Sequence, residues 1–392
     1  MKDVVIVSAA RTAIGTMGGA LKDYHAADLG ARAIEAAVER ANIDKELIQE
    51  VIMGCVGQVA ENAFIARMCS LRAGLPTNST AFTVNRLCGS GLQAINSAVQ
   101  QIQTQEADVV VAGGTENMDM LPYYIRKARY GYRMGHDQLE DGLITALTDP
   151  FGNYHMGVTA ENVAERYNIT REEQDEFAAL SQQKAINAID EGLFQEEITP
   201  IEIKDRKGNV TVVDTDEHPR RGVTAEKLAK LKTPFKKDGT VTPGNASGIN
   251  NGAAALVLMS KEKANELGLT PLATVKQQAI AGVDPEIMGY APAPAVQKLL
   301  DKAQLSINDI DLMELNEAFA SQSVAVIKDL GISQDKVNVN GGAIALGHPI
   351  GASGSIITVK LLHEMKRRGL KRGVSTMCIG GGQGIATLFE MN

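Results

Sequence analysis

A chain of 392 residues, 44% of them hydrophobic and 38 of them glycine, is long enough for two or three domains around a large core and reads as globular α/β with many tight turns. Its formal net charge of -8 argues against a nucleic-acid partner, which demands a basic surface. The four cysteines, Cys55, Cys69, Cys88 and Cys378, are too sparse for a disulfide framework and read as reduced thiols.

Met1-Lys2-Asp3 leads straight into Val4-Val5-Ile6-Val7, a strand, without the apolar region and small-residue cleavage site of a signal peptide. The longest clear apolar run, Ala253 to Met259, is too short to span a bilayer. A soluble, cytoplasmic protein with no membrane partner is expected. Ser8 to Gly15 reads as a loop, and a helix is predicted over Ala26 to Ala41, with Leu29, Ala33, Ala36, Ala37 and Val38 on its buried face. Glu50 to Gly54 is the next strand. Ala81 to Val84, apolar and β-branched, predicts a buried strand; from Leu92 the spacing of Leu92, Ile95, Val99 and Ile102 changes to that of a helix. Ala107 to Gly114 is again a short apolar run ending in glycines. This alternation predicts an open, largely parallel sheet.

Met118 to Gly248 breaks the pattern. Thr170-Arg171-Glu172-Glu173 has the form of a capping box opening a helix that runs to about Ile189. Between Lys204 and Lys237 ten Lys/Arg face five Asp/Glu, a basic island suited to a phosphorylated ligand or simply a solvated loop. Pro122 to Arg133 gathers half of the eight tyrosines among arginines, a composition enriched at interfaces. The first grammar then recurs. Pro294 to Ala303 reads as a helix, Asp311 to Leu315 and Lys336 to Asn340 as strands, Gly351-Ala352-Ser353-Gly354 as the opening of a helix, and Val374 to Cys378 as a strand ending in glycines. Ser90-Gly91 aligns on Ser353-Gly354, and Gly113-Gly114 on Gly380-Gly381, at nearly the same offset, which points to two duplicated halves.

The chemistry centres on Asn85-Arg86-Leu87-Cys88-Gly89-Ser90-Gly91, which delivers a thiol to a glycine-rich turn before a helix N-terminus. Free backbone N–H groups and the helix dipole there stabilise an anion and are expected to lower the Cys88 pKa; a drop of about 1.5 units would make roughly half of it thiolate at pH 7. Asn316 sits at a strand-to-helix turn, where it would serve equally as a helix cap. His348 stands between Gly and Pro in a glycine-rich loop, and Cys378 ends a strand beside Gly380-Gly381-Gly382. No CxxC or HxxxH spacing links Cys88, His348 and Cys378, so no metal site is expected, and the glycines after Cys378 lack the Lys-Ser/Thr ending of a phosphate-binding loop.

Four motifs in order, Asn85 to Gly91, Asn316-Glu317-Ala318-Phe319, the glycine stretch around His348, and Cys378 to Gly382, resemble those of the thiolase family, in particular its short-chain acetyltransferases. The resemblance covers the whole chain. It implies an α/β fold of duplicated βαβαβ halves in a layered α-β-α-β-α core: residues 1–117 with 249–270 as one half, 271–392 as the other, and 118–248 as an inserted loop domain. It implies reversible Claisen condensation of two acetyl-CoA to acetoacetyl-CoA and CoA, with CoA a substrate and no cofactor. Cys88 would be the acylated nucleophile, Cys378 the base that takes the α-proton, and His348 the group that helps deprotonate Cys88. Asn316 would hold a water which, with His348, forms one oxyanion hole; the backbone N–H groups of Cys88 and Gly380 would form the other. The resemblance further assigns His155, Met156, Arg220, Phe235, Ser247, Met288, Ala318 and Phe319 to CoA binding, with Met288 favouring a small acyl group, and the Tyr/Arg loop to a homotetramer. The rivals are a degradative 3-ketoacyl-CoA thiolase of longer chain length, a ketoacyl synthase, which pairs one Cys with two His, and a non-catalytic CoA carrier.

Overall fold

A computed structural model describes residues 2–392. The principal elements in chain order are β1 (Val4–Thr12), α1 (Ala26–Ala41), β2 (Glu50–Gly54), β3 (Thr80–Val84), α2 (Ser90–Thr104) and β4 (Val109–Asn117); then α3 (Met156–Arg166) and α4 (Arg171–Asp190); then β5 (Asn250–Ser260). They continue with β6 (Ala273–Gly282), α5 (Pro292–Ala303), β7 (Leu312–Leu315), α6 (Ala320–Leu330), α7 (Ser353–Arg368), β8 (Arg372–Ile379) and β9 (Gln383–Met391).

The main strands line up as β7-β8-β9-β6-β1-β5-β4-β2-β3. In the N-terminal half β3, β2 and β4 are parallel, and β5 and β1 follow antiparallel. The C-terminal half repeats this: β7 and β8 are parallel, and β9 and β6 are antiparallel. The sheet is therefore mixed rather than largely parallel, because β9 returns directly beside β8 and β5 returns antiparallel beside β4 after the inserted segment that carries α3 and α4. Two register pairs, Val5 with Thr274 and Ile6 with Ala273, join the halves edge to edge.

Every residue of β1, β4 and β5 is buried, as strands covered on both faces must be. Helix α1 lies on one side of the N-terminal half: Ser8 Oγ and Thr115 Oγ1 donate to the α1 carbonyls of Ala37 and Ala26. Helices α2 and α7 meet each other between the two half-sheets. They approach through glycine. A Cβ on Gly91 would meet the Ser355 backbone nitrogen at 2.7 Å, and one on Gly354 would collide with the backbone nitrogen of Leu92. These paired contacts are the centre of the layered α-β-α-β-α core.

Ser8 to Thr12 is strand, not loop. Its polar residues hide the strand because their partners are remote: the fully buried Arg11 is paired with Glu197 at 2.7 Å and Asp216 at 2.8 Å. β3 is the sheet's outer strand and is partly exposed, not buried. Lys336 to Asn340 is not a strand; only Val337 bridges to Met313, after a short 3-10 turn. There Asn338 takes φ 45° and its side chain bonds the Leu315 backbone through both ends. The capping box at Thr170 and Glu173 is present, opening α4. Among the described residues no helix is long and apolar enough to cross a membrane.

Candidate active site

Cys88 lies in the turn between β3 and α2. Leu87, at φ 47°, holds a backbone conformation that a bulky side chain rarely adopts, so neighbouring bonds must enforce it. They do: Asn85 Oδ1 accepts from Leu87 N at 3.0 Å, while Ser90 Oγ donates to Leu87 O at 2.6 Å and accepts from Arg86 N at 2.9 Å. The turn thus presents the Cys88 thiol in one fixed direction.

Its acidity differs from the expectation. Burial pushes the Cys88 thiol up to about 11, although the N–H groups of Gly380 and of Cys88 itself pull the other way. The helix N-terminus does not outweigh desolvation, and no cationic side chain contributes. At pH 7 such a thiol is ionised only about once in 10⁴ molecules, so it needs a base to act as a nucleophile.

His348 lines the same cavity as Cys88. Gly347 at φ 109° carries the chain past Asn250, whose side chain would stand 2.5 Å from a Cβ there, and Asn250 Oδ1 accepts from His348 N at 2.9 Å. Burial pushes the imidazole down to about 4, so it is neutral. Its Nδ1 lies 2.6 Å from Ser353 Oγ, and its buried Nε2 has no partner in the protein. Cys378, 1% exposed at the end of β8, is held well above the ordinary thiol range by burial and by its neighbour Cys88. It too is a thiol at rest.

Cys88, His348, Cys378 and Gly380 all line one cavity of about 910 Å³. Among the described residues no group of three His, Cys, Asp or Glu is arranged to hold a metal ion. Two thiols of unequal burial, a neutral imidazole with a bare edge, and backbone N–H donors are the parts that acyl transfer through a thioester requires. The thiolase N-terminal domain family matches residues 4–262, and the thiolase C-terminal domain family matches residues 269–391.

The chain belongs to the thiolase family. It is 54% identical over 394 aligned residues to an acetyl-CoA acetyltransferase of Syntrophomonas wolfei, covering 99% of each chain. Among solved structures it resembles the Bacillus anthracis acetyl-CoA acetyltransferase, with 50% identity, a TM-score of 0.98, and coverage of 100% of this chain and 99% of that one. It also resembles human mitochondrial 3-ketoacyl-CoA thiolase in complex with CoA, with 46% identity, a TM-score of 0.96, and coverage of 100% and 98%. The protein is an acyltransferase enzyme.

The thiolase cavity gathers more of the expected residues. His155, Met156, Arg220, Phe235, Ser247, Met288, Ala318 and Phe319 all line it. His155 and Phe235 stack with ring centroids 4.9 Å apart, and the Ser247 N–H donates to Ala318 O at 2.9 Å. Of the basic island only Arg220 and its neighbours His218 and Phe235 reach the cavity; Lys236 pairs with Glu165 and Arg221 with Asp190 on the surface. Asn316 stands apart. It lines a separate space of about 10 Å³ with Ser353 and Lys360, room for about one water, and its buried Nδ2 has no partner in the protein.

Two buried carboxylates are not evident from the sequence. Glu116 accepts from the backbone N–H groups of Val56, Gly57 and Gly351, tying the His348 loop to the N-terminal half. Its only signal was an acid at the end of an apolar run. Glu317 was visible inside a motif but had no role; it accepts from Ser181 Oγ, Asn338 Nδ2 and the Ile344 N–H, anchoring the segment that leads to His348.

Proposed function

We propose that this enzyme is an acetyl-CoA acetyltransferase that reversibly condenses two acetyl-CoA to acetoacetyl-CoA and CoA. The observation that carries the reading is the convergence of two protonated thiols on a neutral His348 in one cavity. His348 Nε2 takes the Cys88 proton as the sulfur attacks the acetyl carbonyl. Cys378 gives its proton to the departing CoA thiolate, and CoA leaves as the thiol. The Cys378 thiolate so produced is the base that removes the α-proton of the second acetyl-CoA. The enolate attacks acetyl-Cys88, and the released Cys88 thiolate recovers its proton from Nε2. Every proton is accounted for, and each thiol ends one half-reaction in the form that the next one needs.

The developing oxyanions need donors. The N–H groups of Cys88 and Gly380 serve the tetrahedral intermediate, and the protonated Nε2 serves the enolate; Asn316, which faces a separate small space, takes no part in this scheme. One such donor is typically worth about 10²–10³ in rate. His155, Phe235, Arg220 and Ser247 would hold CoA, with Met288, Ala318 and Phe319 lining the cavity around its acyl end. CoA enters as a substrate, and the scheme requires no further cofactor. The open outer strand β3, with Phe82 and the nearby Phe64 exposed, supports pairing of two copies, and the exposed Tyr/Arg loop supports a dimer of dimers. Sedimentation at micromolar concentration should report a tetramer.

The deciding experiment is loss of acetoacetyl-CoA on adding free CoA, compared with a longer 3-ketoacyl-CoA. Faster loss of the short substrate is expected. Faster loss of the long one would transfer the protein to degradative thiolysis, and loss of neither would sink the enzymatic scheme.

A further inference from the structure

Because His348 is neutral, what its Nε2 can do in the cavity depends on which ring nitrogen carries the single proton. Nδ1 is bonded to Ser353 Oγ at 2.6 Å, whereas Nε2 is buried without a partner in the protein. Orphaned buried N–H groups are rarer than orphaned acceptors. The arrangement that avoids one puts the proton on Nδ1 and leaves a lone pair on Nε2. Ser353 Oγ must then accept from Nδ1–H, and its own proton needs another acceptor. Pro349 O lies 2.9 Å away and takes it. Ser353 is itself held firmly in place, since it is the first residue of α7, 2% exposed, and its backbone N–H also donates to Pro349 O at 2.9 Å.

We propose that Ser353 is a positioning residue that holds His348 as the Nδ1–H tautomer, so that Nε2 meets the Cys88 thiol as a bare acceptor. The inference rests on the reading of Cys88 as the nucleophile and Nε2 as its base. In the transfer the Cys88 S–H bond breaks and an Nε2–H bond forms, while the Nδ1 proton stays in place. The later return of the Nε2 proton to Cys88 restores the starting tautomer. A carboxylate plays the same part in a Ser-His-Asp triad, where the wrong tautomer abolishes most of the rate. A hydroxyl orients the ring without lending a negative charge. The buried imidazole therefore stays uncharged until the thiol proton arrives, and no carboxylate has to be desolvated beside it.

Nitrogen-15 NMR of the full-length enzyme, labelled at the ring nitrogens of its six histidines, tests this directly. The His348 pair is assigned by its disappearance in His348→Asn. A protonated Nδ1 with an unprotonated Nε2 is expected in the wild type, and a protonated Nε2 would overturn the inference without any Ser353 variant. In Ser353→Ala the Nδ1–H loses its acceptor, so the tautomer should reverse. Acetyl-Cys88 formation from acetyl-CoA, followed by quenched mass spectrometry, should then slow about 10²-fold, the low end of what a general base contributes, with KM unchanged. Ser353→Thr keeps the hydroxyl and should restore both tautomer and rate. An alanine variant with wild-type acylation, or with unaltered ring nitrogens, would overturn the inference. A wild-type enzyme that forms no acetyl-Cys88 would instead remove the functional reading, and the nitrogen spectrum would still decide the tautomer.

Discussion

Helix α2 in the N-terminal half and helix α7 in the C-terminal half occupy equivalent places, each opening at a Ser-Gly pair and each crossing the other through that glycine. What precedes them differs. Before α2 the strained turn at Leu87 presents a thiol partly open to the cavity; before α7 a longer loop presents an imidazole. The C-terminal half places its own thiol, Cys378, at the end of β8, where burial is nearly complete. The outer edges differ too: β3 is left open, whereas the edge beyond β7 is closed by the bridge from Met313 to Val337. One duplicated scaffold thus supplies two thiols that differ in burial rather than in residue type.

The strongest way to break this comparison is to remove each thiol in turn. Cys88→Ser should lower acetoacetyl-CoA thiolysis by about 10⁵-fold or more, as loss of a covalent nucleophile does. Cys378→Ala should lose about 10³–10⁴ in overall condensation. Mass spectrometry should nevertheless find Cys88 acetylated after prolonged incubation with acetyl-CoA, more slowly than in the wild type because CoA then leaves without the Cys378 proton. An unacetylated Cys378→Ala protein would show that the two thiols do not divide the work as described.

The crossing of the helices offers a smaller test. Gly91→Ala and Gly354→Ala should each lower stability by about 1–3 kcal/mol through overpacking, read from urea midpoints. Gly354→Ala should cost more, because its Cβ would press closer on backbone than that of Gly91. Equal or neutral effects would mean that the interface relaxes.

The weakest effects concern pH. Burial holds His348 at about 4 against 6.5 in the unfolded chain. Between these values the unfolded state binds the extra proton, so this contribution is present above about 6.5 and is lost as pH falls toward 4. Cys88 acts in the opposite sense. Its pKa of about 11 lies above the unfolded value of 9.0, so its contribution is present below 9 and is lost as pH rises toward 11. His348→Asn should flatten part of the acid limb of apparent Tm against pH, and Cys88→Ser part of the alkaline limb.

Much of this architecture was legible in the sequence because it is written locally. The three-and-four spacing of α1 and the capping box at Thr170 each need only a few neighbouring residues to be read. The strand at Arg11 and Thr12 was hidden because the groups that neutralise it arrive nearly two hundred residues later. Alternating Val and Asn from Val337 to Asn340 looked like a strand, but Asn338 turns its backbone and bonds across to Leu315. Motifs pointed to Cys88, His348 and Cys378, which the structure brings to one cavity, whereas Glu116 carried almost no local signal. The acidity of Cys88 was misjudged for the same reason: a helix N-terminus can be read from sequence, but the desolvation that opposes it depends on what the rest of the chain packs around the sulfur.

The pairing of β1 with β5 also sets a timetable for synthesis. Val4 is in register with Ser260, and β4 likewise must wait for β5 to fill the place beside it. At about 5–20 residues per second, the ribosome takes roughly 13 to 50 seconds to bring Ser260 out after Val4. Throughout that interval the apolar run from Val4 to Val7 has no strand beside it, since β6 is made later still and the earlier pairing with Ile198 and Thr199 reaches only Arg11 and Thr12. The nascent chain is therefore a natural client for chaperones that shield extended apolar segments, and slowing translation before Asn250 should increase its aggregation more than slowing it after Ser260.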